Sequence, residues 1–138
     1  TMSSSLYVPT VRMAPIYDSG SSLGRELTEE RVTQLLSSEE ELTRYIEKGK
    51  AEIHWNNEKV NHFTLVNELL HTAYGAHAKQ VIKRMLQKWN TAAIELMIQE
   101  TDSLVPESHI MYKIPEERKR LIAKILHLRR NRLEQLIS

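Results

Sequence analysis

A chain of 138 residues is long enough to bury one hydrophobic core and too short for several domains. Its 41% hydrophobic and 27% charged residues exclude a disordered chain, and only 6% aromatics leaves a core built from Leu, Ile, Val, Ala and Met. The lack of cysteine excludes disulfide scaffolds, thiolate metal sites and cysteine nucleophiles, and favours a reducing cytoplasm, while a formal net charge of +1 leaves partner choice to how charge is distributed.

Strand-like sequence is confined to the start. "LYV", a break at Pro9-Thr10 and "VRMAPIYD" read as a short β-hairpin from Leu6 to Asp18. Pro15 cannot donate to a ladder and marks an edge or an irregular end. "SGSSLG" then forms a turn-rich loop, so residues 1–24 make a hairpin and loop, and residues 25–138 a helical bundle in the same structural domain. The fold class is mainly α.

"LTEERVTQLLS" is a short helix with Thr28 as N-cap and acids near the positive end of its dipole. "SSEEELTRYIEKGK" repeats the pattern: Ser38 and Glu41 form a capping box, and Gly49 ends the helix. The acidic run Glu39 to Glu41 is thereby a helix start. "AEIHWNNEKVN" is a polar loop. Phe63, Val66, Leu70, Ala73 and Tyr74 recur at helical spacing from Phe63 to His77.

Lys79 to Thr101 reads as the longest helix, with Ile82, Met85, Leu86, Trp89, Ala93, Leu96 and Met97 as its apolar stripe. In that register Trp89 is expected to be buried between helices. "DSLVPESHIMYK" interrupts, and Pro115-Glu116-Glu117 opens the last helix, striped by Leu121, Ile125, Leu128 and Leu136.

Glu68 and His71 lie one turn apart, as in di-iron bundles, but no second Glu-x-x-His completes such a site, so the histidines read as surface or half-buried polar residues. The last helix is basic, with Arg118, Lys119, Arg120, Lys124, Arg129, Arg130 and Arg132. This row is either a solvated face suited to the helix dipole or a surface for nucleic acid or another acidic partner. No Gly-x-Ser-x-Gly, Walker loop or His-Glu-x-x-His occurs. No apolar run approaches the roughly 20 residues of a membrane helix, so no membrane partner is expected, and "TMSSS" lacks the pattern of an export signal.

What remains is "APIYDSGSSL". A carboxylate at a strand end, followed by small residues, suits a hard divalent cation held against nucleotide phosphates. Asp18 equally suits an Asx-turn onto the amides of Ser19 or Gly20. Ala14, Pro15, Ile16, Tyr17, Asp18 and Ser21 resemble the Ala-Pro-[Ile/Val/Phe]-[Tyr/Phe]-Asp-x-x-Ser run of the HipA-like kinases, bacterial serine/threonine kinases. The resemblance implies a helical C-lobe after the run, and Asp18 as ligand to Mg²⁺ and, through it, to ATP. It also implies a cytoplasmic, toxin–antitoxin setting.

The family's catalytic loop, His-x-x-Asp-Arg-His-x-x-Asn, and its nucleotide-binding Lys and loop do not occur in these residues. The resemblance therefore implies a C-terminal kinase part that is inactive alone, holds no tightly bound cofactor and needs the N-terminal part as partner. Without that partner, the hairpin edge is expected to pair with a second copy in a homodimer. The alternative is a non-catalytic helical interaction module that contacts nucleic acid through its last helix.

Overall fold

The computed structural model describes residues 23–138. The hairpin expected between Leu6 and Tyr17, and Asp18 with its serine-rich turn, lie outside the described residues. Those that are described form a mainly helical bundle.

The first two helices begin where short polar side chains can satisfy free amides. Thr28 accepts from the Arg31 amide and starts α1 (Glu29–Ser37), and Ser38 accepts from the Glu41 amide and starts α2 (Glu39–Lys48). Only half of the expected capping box forms. The Glu41 carboxylate turns instead to Arg31, at 2.7 Å, and so ties α2 to α1.

The stretch expected to be a loop between α2 and α3 (His62–Leu70) folds back on itself as a small hairpin. Asn56 and Asn57 both take positive φ (51° and 66°), and Trp55 and Glu58 exchange paired backbone hydrogen bonds of 2.9 Å across them. Asparagine tolerates this left-handed backbone, which is why an Asn-Asn pair closes a two-residue turn. Ala51 donates to Val60 and His62 to Gly49, which returns the chain to α2 before Asn61 caps α3.

Two expected helices are broken. The periodic stretch from Phe63 to His77 ends at Leu70 and restarts as α4 (Gly75–Gln87). A Cβ on Gly75 would stand 1.9 Å from the Leu70 carbonyl oxygen, so only glycine lets α4 leave so close to the end of α3. Gly75→Ala forces backbone apart and is expected to lose about 3 kcal/mol, the upper end for overpacking, in urea unfolding. A loss under about 0.5 kcal/mol, the range of neutral surface changes, would show that the joint can relax.

The helix expected from Lys79 to Thr101 likewise divides into α4 and α5 (Thr91–Glu100), because Asn90 caps the Ala93 amide and starts a new helix. The longest helix is instead α6 (Glu116–Ile137), reached through a short 3₁₀ helix (Glu107–Tyr112).

All five other α-helices pack on α6. Its Leu121 and Ile125 sit at the centre of the core with Val32 and Leu35 of α1, Leu42 and Ile46 of α2 and Phe63 of α3. Helices α4 and α5 give no large side chain to this core. Trp89, expected to be buried, is only half-buried: the break at Asn90 leaves it at the joint, its indole Nε1 donating to Thr91 and its ring edge-on to His127. Met85, Leu96 and Met97 of the same expected stripe are 45%, 57% and 68% exposed. No helix of the described residues is long and apolar enough to cross a membrane.

Candidate functional site

The basic row of α6 divides into cations that build the fold and cations that remain outside. Arg118 belongs to the first kind. Its guanidinium donates to the carbonyls of Gly24 (2.8 Å) and Leu27 (2.7 Å) and pairs with Glu29 at 2.6 Å. A planar fork of donors can satisfy several acceptors at once, which a lysine ammonium cannot do in one plane. Gly24 itself has φ of +79°, and a Cβ there would meet Leu27, Leu121 and Ile125. The segment that follows the Asp18 run is thus fastened to the first turn of α6 by a charged clamp over a glycine. Tyr45 adds a second tie, its hydroxyl donating to Glu26 at 2.6 Å. Burial, helped by the Glu26 carboxylate, pushes the phenol up to about 12.

Lys119 is buried and holds the other side of α6. Its ammonium donates to Asp102 Oδ1 (2.8 Å) and to the Gln99 carbonyl (3.1 Å), while Asp102 Oδ2 accepts the Ile114 amide at 2.6 Å. One carboxylate thereby fastens both ends of the segment between α5 and α6. The hydrogen bond from Lys119, and then that from Ile114, hold the Asp102 carboxyl below its usual value, and the Asp102 bond raises Lys119.

The sign follows from these directions. Asp102 stabilises the fold above 3.8, its ordinary value, and that contribution disappears as pH falls through the lower folded value. Lys119 contributes fully below 10.5, and its share is lost as pH rises through the higher folded value. Asp102→Asn is therefore expected to lower the urea midpoint at pH 7, with the gap to wild type closing in acid below 3.8. A gap that stays constant down to pH 2 (about the acid limit for such pairs) would remove the charge from the explanation.

The remaining cations are less committed. Lys124 reaches the Leu36 carbonyl at 3.5 Å, and Arg130 pairs with Glu134 at 3.0 Å. Arg132 lies 5.9 Å above the Phe63 ring and 3.9 Å from Glu47. Arg120 and Arg129 have no ion pair among the described residues. A phosphate-tracking stripe needs cations along one exposed face, and α6 spends Arg118 and Lys119 on its own bundle. Sequence position alone could not separate these roles, because the carbonyls that Arg118 meets lie far away along the chain.

Between the ends of α2, α3 and α6 opens a cleft of about 330 Å³, lined by Glu47, Asn61, Phe63, Thr64, Asn67 and Arg132 among others. It offers amides, one carboxylate and one guanidinium, but no nucleophile beside a base. His71, weighed as a metal ligand with Glu68, turns its Nδ1 back to the Asn67 carbonyl at 2.7 Å. Among the described residues no three His, Cys, Asp or Glu side chains converge on a point where a cation would sit. No family model, curated protein or solved structure matches the chain.

Proposed function

We propose that this chain supplies the magnesium-binding aspartate and the helical lobe of a bacterial, cytoplasmic HipA-like serine/threonine kinase, and that it does not transfer phosphate by itself. The observation that carries the reading is the run Ala14-Pro15-Ile16-Tyr17-Asp18 with Ser21, followed by a chain that is mainly helical over its described residues. Its residues suit the role. A carboxylate is a hard oxygen ligand for Mg²⁺, and the small residues after it leave room for a nucleotide.

Phosphoryl transfer also needs a base, a second metal ligand and a cation on the phosphates, all positioned together. The catalytic loop that would provide the first two, and the nucleotide-binding Lys, are not among these residues. The alternative, a module that reads nucleic acid through α6, has lost ground. Arg118 and Lys119 are committed to the bundle, which leaves Arg120, Lys124 and Arg129 as the cations of the row without an ion pair among the described residues.

Complementation tests the reading. The chain is combined, in one frame or as two purified parts, with a segment carrying the family's nucleotide lobe and catalytic loop. Magnesium-dependent autophosphorylation is expected from the combination and from neither part alone. Phosphate release by this chain alone, above a mock-purified control, would overturn the reading, as would silence from a combination that demonstrably associates.

A further inference from the structure

Helix α4 is apolar on two sides. Ile82 and Leu86 are half-buried toward the bundle, as expected of an amphipathic helix. A second row faces outward: Tyr74, at the N-cap, is 73% exposed, Val81 50% and Met85 45%. Tyr74, Ala78, Val81 and Met85 recur at alternate spacings of four and three, which places them along one seam of the helix. Large apolar side chains in a row, rather than scattered singly, mark a surface built to be covered.

The charge beside the seam narrows what can cover it. His77, Arg84 and Lys88 follow the seam along one edge, all exposed, and no acid occurs from Gly75 to Lys88. Arg84 and Lys88 have no ion pair among the described residues. The opposite edge, through Ile82 and Trp89, runs into the bundle. The free surface is therefore an apolar row with a cationic border on its solvent side. A second copy fits it poorly, because in an antiparallel pair the same edge of each helix meets its counterpart, and here cation would face cation with no carboxylate between. Residues 1–22 carry one base, Arg12, and one acid, Asp18, so they too answer a border of three basic side chains with a single carboxylate.

We infer that the outward seam of α4 docks an amphipathic helix of another protein, whose apolar stripe lies on Tyr74, Val81 and Met85 and whose acidic side chains meet Arg84 and Lys88. The mode is an apolar seam for affinity and flanking charge for choice of partner. Methionine and tyrosine suit it, the first because its thioether adapts to different surfaces and the second because its ring joins a large apolar area to a polar tip. The docking seam depends on α4 alone and stands or falls independently of the kinase reading.

Two labelled, designed helices test it on the full chain, read by fluorescence anisotropy. Both carry leucine along the seam; one has glutamate on its flanks and the other lysine. The glutamate helix is expected to bind at least about tenfold more tightly, with the preference shrinking as salt rises. Val81→Asp should weaken it by about tenfold or more, with an unchanged circular dichroism spectrum because Val81 is half exposed. The chain carrying both Arg84→Glu and Lys88→Glu should reverse the preference and select the lysine helix.

Equal binding of the two helices, binding of neither, or a double variant that still prefers glutamate would each overturn the inference. So would a chain that dimerises on concentration and is dispersed by Val81→Asp, since the occupant would then be a second copy. A peptide of residues 6–17 that displaces the labelled helix more strongly than unlabelled glutamate helix would name that segment as the occupant and reject the acidic partner.

Discussion

Replacing Asp18 with alanine in the complemented kinase is expected to abolish magnesium-dependent phosphotransfer while leaving assembly of the two parts intact. If the resemblance holds, Asp18 would hold Mg²⁺, and a positioned metal would neutralise charge that develops on the transferred phosphoryl group. Losing one such ligand should lower the rate by about a hundredfold or more, on the scale of removing a single preorganised electrostatic group. Asp18→Glu keeps the charge and moves it by a methylene, so a partial rate that recovers at higher Mg²⁺ would point to the metal. Autophosphorylation that survives Asp18→Ala in full would assign the acid to its Asx-turn and remove the metal ligand from the proposal.

The second large effect is on stability. Leu121→Ala should cost about 3–5 kcal/mol, because a fully buried leucine removed from a packed core loses its transfer energy and leaves a cavity behind. Leu121 is 0% exposed and belongs to the cluster of α1, α2, α3 and α6 side chains. The control is Leu96→Ala on α5, at 57% exposure, which should change stability by no more than about 0.5 kcal/mol. Urea unfolding at one pH compares them. Similar losses from both variants would mean that α5 shares the core and that its apolar face is covered in solution.

Parts of this architecture were plain from the sequence, and the reasons differ from element to element. Thr28 and Ser38 mark their helix starts, while Pro115 stands one residue before α6 rather than in its first turn and makes no side-chain capping bond. The two caps are legible because capping is local: the donor, the acceptor and the acids that favour the dipole all lie within one turn. The stripe of α6 was readable for the same reason, its period running unbroken through Leu121, Ile125 and Leu128. The breaks at Gly75 and Asn90 were missed although both carry signals. Apolar residues happened to stay in register across each break, through Ala73 and Tyr74 at the first and Trp89 and Ala93 at the second. Periodicity then outweighed a glycine and an asparagine that each mark a joint. The Asn56-Asn57 pair is likewise a legible two-residue hairpin signal, masked by the polar residues on either side of it.

The roles of Arg118 and Lys119 were of another kind. No local pattern separates a cation that clamps carbonyls and a carboxylate far away in the chain from one that faces water. Only tertiary structure brings Gly24, Leu27 and Asp102 to them. The exposed seam of α4 was hidden by the same limit. Its apolar residues match a buried face in type and spacing, and only packing shows which of two faces the bundle takes.

The Arg118 clamp also sets a radius. It fixes the carbonyls of Gly24 and Leu27 against α6, so the chain that runs back to Asp18 hangs from a stationary post. Fully stretched, the backbone from Gly24 to Asp18 covers at most about 20 Å, given about 3.3–3.6 Å per residue. In the proposed role, an ion held by Asp18 would therefore stay within that length of backbone, plus one side chain, of Gly24, which sits beside Leu121 and Ile125 on α6. In that role, a segment that completes the catalytic site would have to come within the same reach of the Arg118 clamp.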